Sequence, residues 1–200
     1  MATIKKKEFS GFSLAEAFAQ VGIEDIKLWQ IDAAPRKPSD FYQERLRRLE
    51  TVFDTTLSEQ AKQLLIEVVF EEVALAFSKL KIFKEAPLRG EEAGGFVDYL
   101  ITPRRALPGT PLLCVAEAKK DNFEKGMAQC LVEMSVCAEL NARAGKSLDV
   151  YGIVTNGTGW QLYKREISGA VWQSGVYGLM PPDLLLGVLG YVLARCEENV

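Results

Sequence analysis

The chain reads as an α/β protein built on a mixed sheet, and three observations carry that reading. Two apolar, β-branched runs, Phe96-Val-Asp-Tyr-Leu-Ile-Thr102 and Leu112-Leu-Cys-Val-Ala-Glu-Ala-Lys-Lys120, have the length and composition of buried strands. Ile66, Val69, Phe70, Val73 and Phe77 form an apolar stripe at helical spacing ahead of them. A second long helical stretch, over 121–144, follows. The order helix, strand, strand, strand, helix, strand is that of an α/β architecture. Two hundred residues suit one such domain with a small appendage. The expected division is a helical extension over 1–50 and the α/β domain over 51–200.

Each element has a local reason. Ser13 caps a short helix over 13–20. Two prolines mark 33–39 as a linker, and 40–53 is helical with Arg45, Arg47 and Arg48 on its surface. Ser58 caps the longer helix, which runs to about residue 80. A strand over 81–86 and a turn region over 90–95 lead into the Phe96 run. Residues 104–111 hold two prolines and a glycine and join the two motif strands. After the 121–144 helix, 146–155 leads into a strand. Asn156-Gly157 is a turn dipeptide, and 160–163 returns as the partner strand. Residues 171–177 predict an edge strand. Pro181-Pro182-Asp183 opens a last helix ending near Arg195. That helix is apolar nearly all round, which makes it core, with a dimer contact as the alternative.

Composition removes several function classes. The chain has no histidine, which rules out Ser-His-Asp and Cys-His catalysis and histidine-held zinc. Cys114, Cys130, Cys137 and Cys196 contain no C-x-x-C pair and read as reduced core thiols. The net charge of −3 is not the overall footprint of a nucleic-acid binder. Basic residues nevertheless cluster at 5–7, at Arg45/Arg47/Arg48, at Arg104-Arg105 and at Lys119-Lys120. The N-terminus is basic without a following apolar stretch, so no signal peptide is expected. The most apolar run is about three turns long, too short for a bilayer. The expectation is a cytoplasmic protein with no membrane partner.

The chemistry sits on the two motif strands. Side chains alternate faces along a strand, so Asp98 shares a face with Phe96 and Leu100, and Glu117 and Lys119 share one with Leu113 and Val115. Three charges at core-facing positions need a partner, a metal or a task. An aspartate followed by Glu-x-Lys on the next strand is a site for a divalent cation with a lysine beside it. The bland reading is a buried ion pair of Lys119 with Asp98 or Glu117.

Asp98 … Glu117-Ala118-Lys119 resembles the signature of the PD-(D/E)XK nuclease superfamily, over roughly residues 58–165. The segment Tyr151-Gly-Ile-Val-Thr-Asn-Gly-Thr-Gly-Trp-Gln-Leu-Tyr163 is similar to the T-N-G … W … Y hairpin of type I restriction nuclease domains. The resemblance implies a restriction-endonuclease-like core of order αβββαβ and a DNA nuclease that uses Mg²⁺ or Mn²⁺. Asp98 and Glu117 would then be the metal ligands, with the Ala118 carbonyl as a third oxygen, and Lys119 the catalytic lysine. Gln129 would support the site from the following helix. The superfamily often adds an acid from the preceding helix. Among Glu67, Glu71 and Glu72, Glu67 lies at the edge of the apolar stripe and is the choice. Two departures stand out: Val97 where the superfamily's name has proline, and Glu133 where a tyrosine often follows the glutamine. Arg104 and Arg105, in the segment between the motif strands, read as a plain surface loop or as a phosphate contact suited to the arginine fork. DNA is the expected partner, with a homodimer or a partner protein as further possibilities. The alternative is an inactive module of the same fold that binds DNA or a partner protein.

Overall fold

Among the described residues, side-chain oxygens start four of the five α-helices, taking up N–H groups that a first turn leaves without partners. The structure, a computed structural model, describes residues 6–119 and 122–200. Ser13 caps α1 (Leu14–Val21) in a reciprocal box with Glu16, and Gly22 ends it in the left-handed conformation. Ser39 caps α2 (Asp40–Val52), Ser58 caps α3 (Glu59–Ala74) and Asn122 caps α4 (Phe123–Arg143). The last helix, α5 (Pro182–Glu197), instead begins on proline, whose missing N–H is harmless in a first turn. The α3 helix stops six residues short of the expected end. Phe77 N–H turns back to the Ala74 carbonyl, and the chain leaves as a strand.

Eight strands make one mixed sheet: β1 (Lys7–Glu8), β2 (Lys27–Leu28), β3 (Leu80–Arg89), β4 (Ala93–Pro103), β5 (Cys114–Ala118), β6 (Val150–Thr155), β7 (Gly159–Arg165) and β8 (Val171–Gly178). The order is β1-β4-β5-β6-β7-β8-β2, with β3 antiparallel along the other edge of β4. The parallel pair β5–β6 is joined through α4, as a parallel crossover requires. Both of these strands are buried along their whole length, the mark of a strand covered on two faces.

Two cores form, one on each side of the sheet. The first gathers side chains of α2, α3 and α5, and the second those of α1 and α4. Neighbouring strand residues divide between them: Ile153 joins the first and Val154 the second, as do Leu162 and Tyr163. The closing helix belongs to the first core, where Leu185, Leu186, Val188 and Leu189 are buried. It approaches the 33–35 backbone so closely that a Cβ on Gly187 would lie 2.3 Å from the Ala34 carbonyl oxygen. All four cysteines are buried free thiols.

Two further findings differ from the expectation. The first fifty residues are not only helical: they supply β1, paired with β4, and β2, paired with β8. Consequently β8 is not an outermost strand at Trp172 and Gln173, which β2 covers. The alternation along β4 also slips. Val97 packs in the second core, Tyr99 in the first and Leu100 in the second. At that point Glu85 stands across from Asp98, between the pairs Lys84–Tyr99 and Ala86–Val97, with φ of 50°. A left-handed conformation for a non-glycine costs about 1–3 kcal/mol. Among the described residues, no helix is long and apolar enough to cross a membrane.

Candidate cation site

The ladder between β4 and β5 ends at Tyr99–Ala116, and Asp98 takes over where it stops. Its Oδ2 accepts the Ala118 N–H at 2.7 Å, so a carboxylate substitutes for the missing backbone partner. The strand continues on its other side, with Lys119 N–H donating to the Thr155 carbonyl at 2.8 Å. Ala118 closes β5, buried and aligned with Thr155 of β6. Glu117 is 1% exposed, and Lys119 Nζ forms an ion pair with its Oε1. Lys120 lies outside the described residues.

The α4 helix closes over these residues. A Cβ on Gly126 would sit 2.6 Å from Val154 Cγ1 and 3.1 Å from Lys119 Cγ. Glycine therefore lets the helix lie against β6 with the lysine stem between them. One turn on, Gln129 and Glu133 are both buried, and Gln129 Nε2 donates to Glu133 Oε1 at 2.9 Å. Three buried oxygens here have no donor: Glu117 Oε2, Gln129 Oε1 and Glu133 Oε2. Lone buried acceptors are costly, each on the order of 1–3 kcal/mol.

The electrostatics follow from burial and crowding. Burial, with the Asp98 charge beside it, pushes the Glu117 carboxyl up to about 8 despite the opposing pull of Lys119. Burial, then Glu117, holds the Glu133 carboxyl well above the usual carboxylate range. Burial draws the Lys119 ammonium down, but the pairing with Glu117 and the Asp98 and Glu59 charges together outweigh it and leave the lysine raised.

The three α3 acids considered for the site are engaged with other partners. Glu67 pairs with Lys84 of β3 at 2.6 Å, Glu71 with Arg45 at 2.6 Å, and buried Glu72 accepts from Ser39 N–H at 2.9 Å and Ser39 Oγ at 2.7 Å. The α3 acid whose charge acts on Glu117 and Lys119 is Glu59. Its place directly after the Ser58 cap reads in sequence as ordinary helix-dipole chemistry, which hid it. Of the loop arginines, Arg104 donates to the Ser78 carbonyl at 2.6 Å and Arg105 to that of Thr110 at 3.4 Å.

The T-N-G hairpin has a mechanical role. Asn156 Oδ1 accepts from Thr158 N–H and Gly159 N–H, at 3.1 and 2.8 Å, and Trp160 Nε1 donates to the Gly157 carbonyl at 3.2 Å. Gly157, at φ of 86°, faces the first turns of α3, where a Cβ would lie 3.1 Å from the Lys62 carbonyl oxygen. The turn that holds Lys119 through Thr155 thus also seats α3.

Asp98 and Glu117 offer hard oxygen donors side by side, and Glu117 keeps one oxygen without a donor. Mg²⁺ needs only one or two carboxylates because it retains several waters. The residues present fit that mode. Among the described residues, no group of three or more acidic or cysteine side chains is placed to hold a metal. No protein-family model matches the chain, and no curated protein matches its sequence.

Proposed function

We propose that the chain is a metal-dependent nuclease of the PD-(D/E)XK type that hydrolyses phosphodiester bonds of DNA. One observation carries the reading: at the end of β5, Asp98, Glu117 and Lys119 meet, with Asp98 holding the strand end and Lys119 tied to a buried Glu117. Asp98 and Glu117 would hold Mg²⁺ or Mn²⁺, with the Ala118 carbonyl, next in the chain after Glu117, as a third oxygen. When bound, such a cation neutralises phosphate charge and acidifies water. The chain's own part is to orient and exclude. Lys119 Nζ moves from Glu117 to the scissile phosphate, where it donates to an oxygen that gains charge in the transition state. Buried Gln129 and Glu133 close the α4 side of the site to bulk water.

A second reading is a non-cleaving module of the same fold that binds DNA or a partner protein. Phe41, Val52 and Phe53, exposed together on and after α2, favour it. The deciding experiment is cleavage of linear, supercoiled and single-stranded DNA in Mg²⁺ or Mn²⁺, with Asp98→Ala and Lys119→Ala prepared in parallel. Cleavage lost in both variants supports the nuclease. Cleavage unchanged in both overturns the site, and no cleavage by wild type moves the weight to the binding module.

A further inference from the structure

Glu133 stands out among the described side chains. It is 0% exposed, it carries a carboxyl, and only one of its two oxygens has a donor. Its neighbours share the defect. Glu117 Oε2 and Gln129 Oε1 are also buried acceptors without a donor, and Glu117 is the charged group that acts most strongly on Glu133. Three lone acceptors on two facing elements call for a ligand rich in donors and positive in charge. A hydrated divalent cation is such a ligand, because its waters donate hydrogen bonds while its charge offsets the carboxylates.

We propose that Glu133 is a positioning residue for the cation. It accepts a hydrogen bond from a water of the cation's hydration shell, while Gln129 donates to its other oxygen and fixes its aim. The inference rests on Asp98 and Glu117 as the direct ligands. It also explains why no three acids among the described residues are placed to grip a metal together: the third acts one water further out. The charges balance on this arrangement, with three carboxylates set against Lys119 and one dication. The rival arrangement needs no metal, only a proton shared between Glu117 and Glu133. An amide at position 133 could satisfy Glu117 equally well in that case.

The test is Mn²⁺ binding to the full chain, followed by electron paramagnetic resonance, for wild type, Asp98→Ala, Glu133→Gln and Glu133→Asp. Melting temperatures in chelator serve as the control for folding. Outer hydrogen-bond partners of a metal typically contribute 10–100-fold in affinity. Glu133→Gln is therefore expected to weaken the Kd by about 10–100-fold, and Glu133→Asp, which keeps the charge, to recover part of it. A Glu133→Gln Kd within about threefold of wild type, with Asp98→Ala still impaired, overturns this inference and leaves the cation reading standing. Wild type that takes up no Mn²⁺ overturns both. If Glu133→Gln does not fold, Gln129→Leu decides: it removes the donor that aims Glu133, so a weaker Kd is expected, and an unchanged one overturns the proposal.

Discussion

The two faces of the sheet both bury acids, yet they treat them differently. On the α3 side every glutamate considered as a site residue is satisfied: Glu67 by Lys84, Glu71 by Arg45, Glu72 by Ser39. On the α4 side, Glu117 and Glu133 are more deeply buried than any of these and each keeps an oxygen without a donor. Satisfied charge fixes structure, here the docking of α2 on α3. Unsatisfied charge opposes folding, so such a carboxyl holds a proton or gains a partner of opposite charge.

The largest effect that sharpens this contrast is on turnover. If the chain is the nuclease proposed above, Lys119→Met is expected to lower DNA cleavage in Mn²⁺ by about 10²–10³-fold, the usual value of one donor to a developing charge, read as an initial rate. Next come stabilities of opposite sign. Glu72→Ala removes two hydrogen bonds from Ser39 to a buried carboxylate and should lower stability by about 1–3 kcal/mol. The double change Gln129→Leu with Glu133→Met, in chelator, removes the buried half-satisfied pair without stranding the amide and should raise stability by about 1 kcal/mol. Urea denaturation of both variants checks the pair, and a loss in the double variant would break the comparison.

A pH series probes the same asymmetry. Glu117 is raised from an ordinary value of 4.5 to about 8, so the folded chain holds this proton more tightly than the unfolded one. Its contribution is complete below about 4.5 and is lost as pH climbs to about 8. In chelator the melting temperature should fall across that window, and Glu117→Gln should flatten the slope. The smallest effect belongs to the α3 face. Arg45 and Glu71 are each more than 40% exposed, and Glu71→Gln should change stability by no more than about 0.5 kcal/mol.

Much of this frame is legible in the sequence because it is local. The Ser13 and Ser58 caps, the α4 period and the Asn156-Gly157 turn each depend on a few adjacent residues, and they stand where the pattern puts them. The pairing of Glu117 with Lys119 follows from period-two alternation in the same way. What escapes is what other parts of the chain decide. Two-residue strands such as β1 and β2 have no period to read. The end of α3 is set by the demand of β4 for a partner, not by its own stripe, which continues to Phe77. The slip at Asp98 depends on Glu85 across the sheet. That Glu133 lacks a donor is a property of its surroundings, and the i, i+4 spacing with Gln129 shows only that the two meet.

The short strands at the beginning of the chain have a temporal consequence. Lys7 and Glu8 wait for β4, and Lys27 and Leu28 wait for β8, which is the last strand made. On a ribosome, these two segments emerge before the strands they pair with and are thus among the last to be locked in place. Pairings of such sequence separation are slow to close. Refolding should therefore end with a late phase in which the sheet is already assembled and its outer rims are still open.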